Sequence, residues 1–307
     1  MRRNVRMLFA VGSAAALLAL TACGGGDSDS GDDPLSSSGG GSEVVVGSAN
    51  FPENVLLGEI YAQALEAKDV KVKRQLNIGA REVIYAQLEK GALTVLPEYN
   101  GALLSYLDKN ATATTSDEVD AALKTKLPAG VELLNPAAAE DKDSVTVTKA
   151  TADKYKLKTL ADLAPVAKNL VIGGPPEFKT RTQGIVGLKS QYGLDFKSFK
   201  SLDVAGPITV SALKKGDVQA ANLFTTDPAI VANDFVPLED PKGLFGAQNV
   251  TPLVYKKGVN QTATDALNGV SAKLDTATLA DLVKQVVSDK KDPDVVAKAW
   301  LSEAGLS

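Results

Sequence analysis

Histidine is absent from all 307 residues, and cysteine occurs once, at Cys23. These two gaps remove whole classes of chemistry. A Ser-His-Asp triad, a Cys-His pair and the usual zinc sites all lack a member. One cysteine cannot form a disulfide within the chain, so the fold rests on its core alone. No metal and no cofactor is expected.

Basic charge is also short. Lysine and arginine number 33 against 37 acidic residues, a net charge of −4. Arg2, Arg3 and Arg6 crowd the extreme N-terminus, and without them the balance falls to −7. Nothing offers the basic stripe that nucleic acid requires, so that partner is excluded.

Long apolar runs are missing except for one, from about Met7 to Leu20. It is too short and too rich in small residues to span a bilayer comfortably as a mature helix. It follows the three arginines and ends in Leu20-Thr21-Ala22-Cys23, which resembles a lipobox. Small residues before a thiol are what cleavage before Cys23 and transfer of diacylglycerol to its sulfur require. The competing reading is an ordinary signal peptide with a chance cysteine. Residues 1–22 are thus expected to be a lipoprotein signal peptide. Lipid on Cys23 would hold the chain on the extracytoplasmic face of the cell membrane. Residues 23–42, dominated by Gly, Ser and Asp, are expected to be a flexible tether.

From Glu43 the pattern changes. Val44–Gly47 is a short apolar run, read as a buried strand. Asn50 is placed to cap a helix whose first turn holds Pro52 and Glu53, running to about Lys68. A strand is expected near 70–76, a helix over 80–90 stopped at Gly91, a strand over Leu93–Leu96, and helices over 101–107 and 116–127. The alternation repeats with a strand at Leu170–Gly173 and a helix over about 180–191. A strand near Phe199–Asp203 and a helix over Pro207–Lys215 stopped at Gly216 come next. Strands are then expected at Val218–Asn222 and Phe235–Leu238, with a short helix opening at Asp227 between them. Residues 261–304 read as two or three amphipathic helices with no strand. Strands alternating with helices point to parallel-sheet α/β lobes. Leu88-Glu89-Lys90-Gly91-Ala92-Leu93 is echoed by Leu213-Lys214-Lys215-Gly216-Asp217-Val218, as two similar lobes or shared helix-stop chemistry would produce.

Ligands of open α/β sheets bind beyond the carboxyl ends of the strands. Polar residues gather there: Ser48 and Asn50; Glu98, Tyr99 and Asn100; Glu177 and Arg181; Thr225, Thr226 and Asp227. Capping and turn chemistry account for each set taken singly. Pro97-Glu98-Tyr99-Asn100-Gly101 stands out, because an aromatic ring beside carboxylates holds a cation without hydrogen-bond donors.

Across nearly all of 43–307 the chain resembles the substrate-binding proteins of bacterial ABC importers for glycine betaine, choline, carnitine and related osmoprotectants. The resemblance rests on Gly47-Ser48-x-Asn50-Phe51-x-Glu53, Leu57-Gly58-Glu59-Ile60-Tyr61-Ala62-Gln63, Asn77-x-Gly79-x-Arg81-Glu82 and Pro97-Glu98-Tyr99-x-Gly101. It continues in Lys156-Leu157-Lys158-Thr159-Leu160-x-Asp162-Leu163, Glu177-Phe178-x-x-Arg181-x-x-Gly184-x-x-Gly187-Leu188, Tyr192-Gly193-Leu194 and Phe224-x-Thr226-Asp227. It implies a two-lobed α/β fold of the periplasmic-binding-protein type (type II). Lobe 1 would comprise 43–145 and 252–307, and lobe 2 146–251. The crossings would lie near Asp143–Val147 and Gln248–Leu253, with the ligand in the cleft between lobes.

The resemblance also implies a monomer that captures a small solute and delivers it to a cognate permease and its ATPase subunits, without catalysis. The implied ligand set is Asn50, Asn54, Tyr99, Asn100, Asp143, Arg181, Thr226, Asp227 and Gln248. The family's tyrosine box is matched at Tyr99. The chain departs from the family pattern at Asn54, Val145 and Gln248, and the last two put two rings in doubt. Losing two rings would weaken binding of a trimethylammonium group by about ten- to a thousand-fold. Three alternatives stay open: the same fold holding a polar or phenolic solute, an extracellular enzyme using Glu98, Glu177 and Asp227 as acid and base, and a receptor or adhesion lipoprotein that kept the fold and lost transport.

Overall fold

The computed structural model describes residues 43–307, so the signal peptide expected over 1–22, Cys23 and the tether expected over 23–42 lie outside the described residues. Two five-stranded sheets, each with its own helices, make two lobes. The first lobe opens with β1 (Val44–Ala49), α1 (Pro52–Glu66), β2 (Val72–Gly79), α2 (Arg81–Glu89), β3 (Val95–Tyr99), α3 (Asn100–Leu107), α4 (Ser116–Lys126) and β4 (Val131–Leu133). The second holds β5 (Asp143–Thr148), α5 (Lys149–Tyr155), β6 (Val171–Gly174), α6 (Gly187–Tyr192), β7 (Ser198–Ser201), α7 (Pro207–Lys215), β8 (Ala220–Phe224), α8 (Pro228–Ala232) and β9 (Phe235–Pro237). The chain returns through β10 (Val250–Tyr255) and ends in α9 (Gln261–Ser271), α10 (Thr276–Val287) and α11 (Pro293–Glu303).

The strand orders, β2-β1-β3-β10-β4 and β7-β6-β8-β5-β9, repeat one plan. In each lobe three parallel strands, from one edge of the sheet to its centre, come from strand–helix alternation, and the fourth is a strand that has just crossed from the other lobe. That strand runs antiparallel, β10 against β3 and β5 against β8. The sheets are therefore mixed rather than parallel throughout. The reason is geometric: parallel strands end at the cleft, whereas a crossing strand starts there and runs away from it. The sequence echo occupies equivalent places, because α2 feeds β3 and α7 feeds β8. Each turn uses a left-handed glycine, Gly91 at φ +73° and Gly216 at φ +77°, a conformation a side chain would strain.

Helix α1 is buried on almost every side, since α9, α10 and α11 cover the face turned away from β1 and β2. Its cap differs from expectation. Phe51, not Asn50, holds the cap position, and no side chain bonds there. Pro52 in the first turn has no N–H to satisfy. Asn54 instead reaches back, its Oδ1 accepting from the Ala49 N–H at 2.6 Å. The helix expected over 180–191 is also broken. Gln183 and Gly184 leave helical geometry before α6 begins, and a side chain on Gly184 would strike the Phe178 carbonyl at 2.1 Å. Leu56, Leu57, Ile60 and Leu65 fill the first core, and Val145, Val147, Leu160, Leu163 and Ile172 the second.

Candidate functional site

The carboxyl ends of β1 and β3 and the start of α2 bring Phe51, Tyr99, Glu98 and Arg81 to one wall of the cleft. The start of β5, the turns after β6 and the end of β8 bring Asp143, Glu177, Arg181 and Phe224 to the other. Three rings meet here. Phe51 lies 6.1 Å from Tyr99, stacked at 29°, and 4.9 Å from Phe224 at 38°. Two rings come from one lobe and one from the other. They border an inner cavity of about 50 Å3 that Asn50, Asn54 and Gln248 also line. A second cavity of about 250 Å3 adjoins it, sharing Arg81, Ala102, Asp143 and Arg181. Together they reach the low end of the roughly 300–1,000 Å3 of small-molecule sites.

Charge is organised around the rings in three layers. At the floor, the Arg81 guanidinium donates from Nε and Nη2 to the Glu98 carboxylate, each at 2.8 Å, and the Tyr99 N–H donates to the same carboxylate at 3.0 Å. Burial alone would lower the pKa of Arg81, but the charge and hydrogen bonds of Glu98 outweigh it and keep the guanidinium protonated. At the rim, Arg181 donates to Glu82 from Nε and Nη2, both at 2.9 Å, and ties the lobes together. Burial works against the Glu82 charge, yet Arg181 holds that carboxyl below its ordinary value. At the hinge, Glu53 accepts from the Tyr99 hydroxyl at 2.7 Å and from the Thr226 hydroxyl of the second lobe at 2.6 Å. Burial pushes the Glu53 carboxyl up, though the Thr226, Tyr99 and Asp141 hydrogen bonds pull it back. Asp143 is raised by burial too, against a 2.8 Å hydrogen bond from Asn222 and the nearby arginines.

Of the nine ligand residues expected from sequence, the structure brings Asn50, Asn54, Tyr99, Asp143, Arg181 and Gln248 to the inner cavity. It places the other three elsewhere. Asn100 is fully buried, and its side chain accepts from the Gly101 and Asn249 N–H groups and donates to Asp120. It fastens the returning segment, where a side chain on Gly101 would strike the Ala247 carbonyl at 2.0 Å. Thr226 serves the hinge. Asp227 caps α8 through the Ala229 N–H at 2.7 Å, and burial lifts its pKa to about 6. Val145, where the family pattern implies a ring, is wholly buried in the second core. The rings that sequence reasoning passed over, Phe51 and Phe224, stand inside two of the quoted motifs. Their signal was position, Phe224 as the last residue of β8 and Phe51 two residues past the end of β1.

A family model described as the substrate-binding domain of ABC-type glycine betaine transport systems matches residues 42–303. The chain belongs to this family. Members are solute-binding components of ABC importers. The chain is 28% identical over 277 residues to the glycine betaine-binding protein YehZ of Escherichia coli (strain K12), covering 85% of this chain and 90% of that one. It is 27% identical over 266 residues to the ergothioneine transport permease/ergothioneine binding protein EgtU of Helicobacter pylori (strain G27), covering 86% of this chain. It spans about half of that relative's length (48%). A crystal structure of a glycine betaine/carnitine/choline ABC transporter protein superposes with a TM-score of 0.66 at 23% identity, over 86% of this chain and 99% of the other. That match supports the two-lobed fold of this family member.

Proposed function

We propose that this protein captures a zwitterionic quaternary amine of the betaine type and delivers it to a cognate permease driven by ATPase subunits. The observation that carries this reading is the set of rings, Phe51 and Tyr99 from one lobe and Phe224 from the other, gathered where the lobes close. A methylated ammonium offers no N–H, so aromatic faces and nearby negative charge are what hold it, at about 0.5–2 kcal/mol per ring. Phe51 and Phe224 line the cleft with rings although Val145 and Gln248 bring none. Arg81 and Arg181, shared with the outer cavity, suit an anionic group on the same solute. Glycine betaine, carnitine and ergothioneine all carry that pair of charges. The outer 250 Å3 favours the larger of them. The reading assigns the chain no catalytic step.

Lipid on Cys23 and a tether over 24–42 complete the proposal, keeping a monomer near its permease at high local concentration. Titration calorimetry with glycine betaine, carnitine, ergothioneine, choline and the neutral carbon isostere of choline tests the ligand class. Binding of a betaine with no binding of the isostere is expected, and equal binding of choline and its isostere would end the cation reading. Loss of membrane association in Cys23→Ala cells tests the anchor.

A further inference from the structure

Glu53, near the start of α1, is a carboxylate on which both lobes and the crossing segment converge. One oxygen accepts from Tyr99, a wall of the inner cavity, and the other from Thr226 of the second lobe. Asp141, on the segment that leaves the first lobe, lies within hydrogen-bonding reach of Glu53. One oxygen of Asp141 already accepts from the Thr226 N–H at 3.1 Å and the Thr225 hydroxyl at 3.3 Å. Glu53 and Asp141 are 4% and 2% exposed. Two carboxylates in contact away from water do not both ionise, so the pair keeps one proton. Both oxygens of Glu53 are taken by donors, Tyr99 on one and Thr226 on the other, whereas the two donors to Asp141 share a single oxygen, so the proton sits on the other oxygen of Asp141.

We propose that Glu53 is a positioning residue that couples lobe closure to the ligand wall, holding Tyr99 with one oxygen and Thr226 of the opposite lobe with the other, while protonated Asp141 completes the joint. Opening the cleft draws Thr226 away from Glu53, while the hydrogen bonds between Lys142 and Thr225 keep Thr226 beside Asp141, and lets water reach the carboxylate pair, so opening releases the proton and closure takes it up. An ionised acceptor on the Tyr99 hydroxyl also fixes its ring and enriches the face a cation meets. The burial of Asp141 and the Glu53 charge raise the Asp141 carboxyl well above its ordinary value, in keeping with this placement. The other titratable groups that face the pair are Tyr99 itself and Asp227 at the cap of α8.

The inference deepens the betaine reading, yet its first test needs no ligand. Donor and acceptor dyes are placed at Lys68→Cys and Lys215→Cys, one per lobe, in protein carrying Cys23→Ser. Asp227→Asn is included because Asp227 titrates near 6. Single-molecule transfer efficiency then gives the closed-to-open ratio from pH 5 to pH 9. That ratio is expected to fall with pH, by up to about tenfold per unit for one coupled proton. Asp141→Asn, which can still donate to Glu53, should stay closed and lose the slope. Thr226→Val should shift the ratio toward open at every pH. A flat profile with Asp141 intact, or an unchanged slope in Asp141→Asn, overturns the proposal. In the second test, glycine betaine is the probe for Tyr99→Phe, Thr226→Val and the double variant. Effects on Kd that fall short of additive support a joint through Glu53, and strictly additive effects contradict it. Failure of glycine betaine to bind would remove the ligand reading while leaving the pH test intact.

Discussion

The cleft is held shut at two ends by contacts of opposite character. The hinge joins the lobes through Thr226 and Glu53, buried beside Asp141. The rim joins them through Arg181 and Glu82, whose side chains are 27% and 41% exposed. At the hinge, desolvation makes each donor count, because a group left without its partner has no water to turn to. At the rim, water and salt replace whatever the pair loses. The two ends also answer pH in opposite directions. Asp141 is raised, so its contribution is complete below the ordinary aspartate value and is lost as pH climbs through the raised one. Glu82 is lowered, so its contribution is complete above the ordinary glutamate value and is lost as pH falls through the lowered one. A closed state favoured at intermediate pH follows, with the hinge failing on the alkaline side and the rim on the acid side.

The sharpest way to break this contrast uses two arginines that both make two-point ion pairs. Arg81→Met strands the Glu98 carboxylate in the floor of the cleft, and the expected loss is about 3–5 kcal/mol of unfolding free energy. Arg181→Met at the rim should lose less than about 1 kcal/mol. Urea unfolding of the two variants decides it. Comparable losses would mean that burial does not govern these pairs.

A smaller effect is expected at Asp227. Its pKa of about 6 lies above the ordinary aspartate value, so its contribution to stability is present in acid and lost as pH rises through 6. Asparagine caps a helix as well as aspartate does and carries no charge. Asp227→Asn should therefore match the unsubstituted protein near pH 4 and exceed it at pH 8 by at most about 3 kcal/mol. Urea midpoints at the two pH values measure the difference. A variant less stable at pH 8 would show that the charge is compensated.

The rings extend the comparison to ligand. Phe224→Ala removes the second lobe's only ring in the trio, and Tyr99→Ala removes one of the first lobe's two. Each should weaken betaine binding by up to about thirtyfold. Only Tyr99→Ala should also change the pH dependence of closure, because only Tyr99 touches Glu53. Calorimetric titration at pH 6 and pH 8 separates them, and identical pH behaviour would detach the ring wall from the hinge.

How much of this was legible in the sequence differs between the two ends. The strand–helix alternation and the ordered motifs pointed to two lobes, and polar strand ends marked the cleft, because apolar periodicity and helix stops such as Gly91 and Gly216 are local signals. Arg181 stood out in its motif, and so did Tyr99. The hinge was not legible. Glu53 looked like a helix-start acid, Thr226 like a ligand residue, and Asp141 carried no signal. What makes them a unit is three-dimensional: a carboxylate on α1, a hydroxyl that follows β8 and an acid on the crossing segment, up to 173 positions apart. The antiparallel course of β5 and β10 was hidden for the same reason, since strand direction is set by where the chain crosses, not by composition. Asn100 misled because a buried, fully bonded asparagine and a ligand-binding one read alike.

The smallest expected effect tests the rim alone. Arg181 and Glu82 interact across a partly wet gap, so their attraction should shrink as the screening length drops from about 10 Å at 0.1 M salt to about 3 Å at 1 M. The buried hinge excludes ions and should not respond. Raising salt at pH 7 should therefore reduce the closed-to-open ratio by a factor of only about two to five, as befits a pair worth less than about 1 kcal/mol. Arg181→Met should start from that reduced level and be insensitive to further salt. A salt response that persists in Arg181→Met would place the screened contact elsewhere between the lobes, and the division into a wet latch and a dry one would need redrawing around that contact.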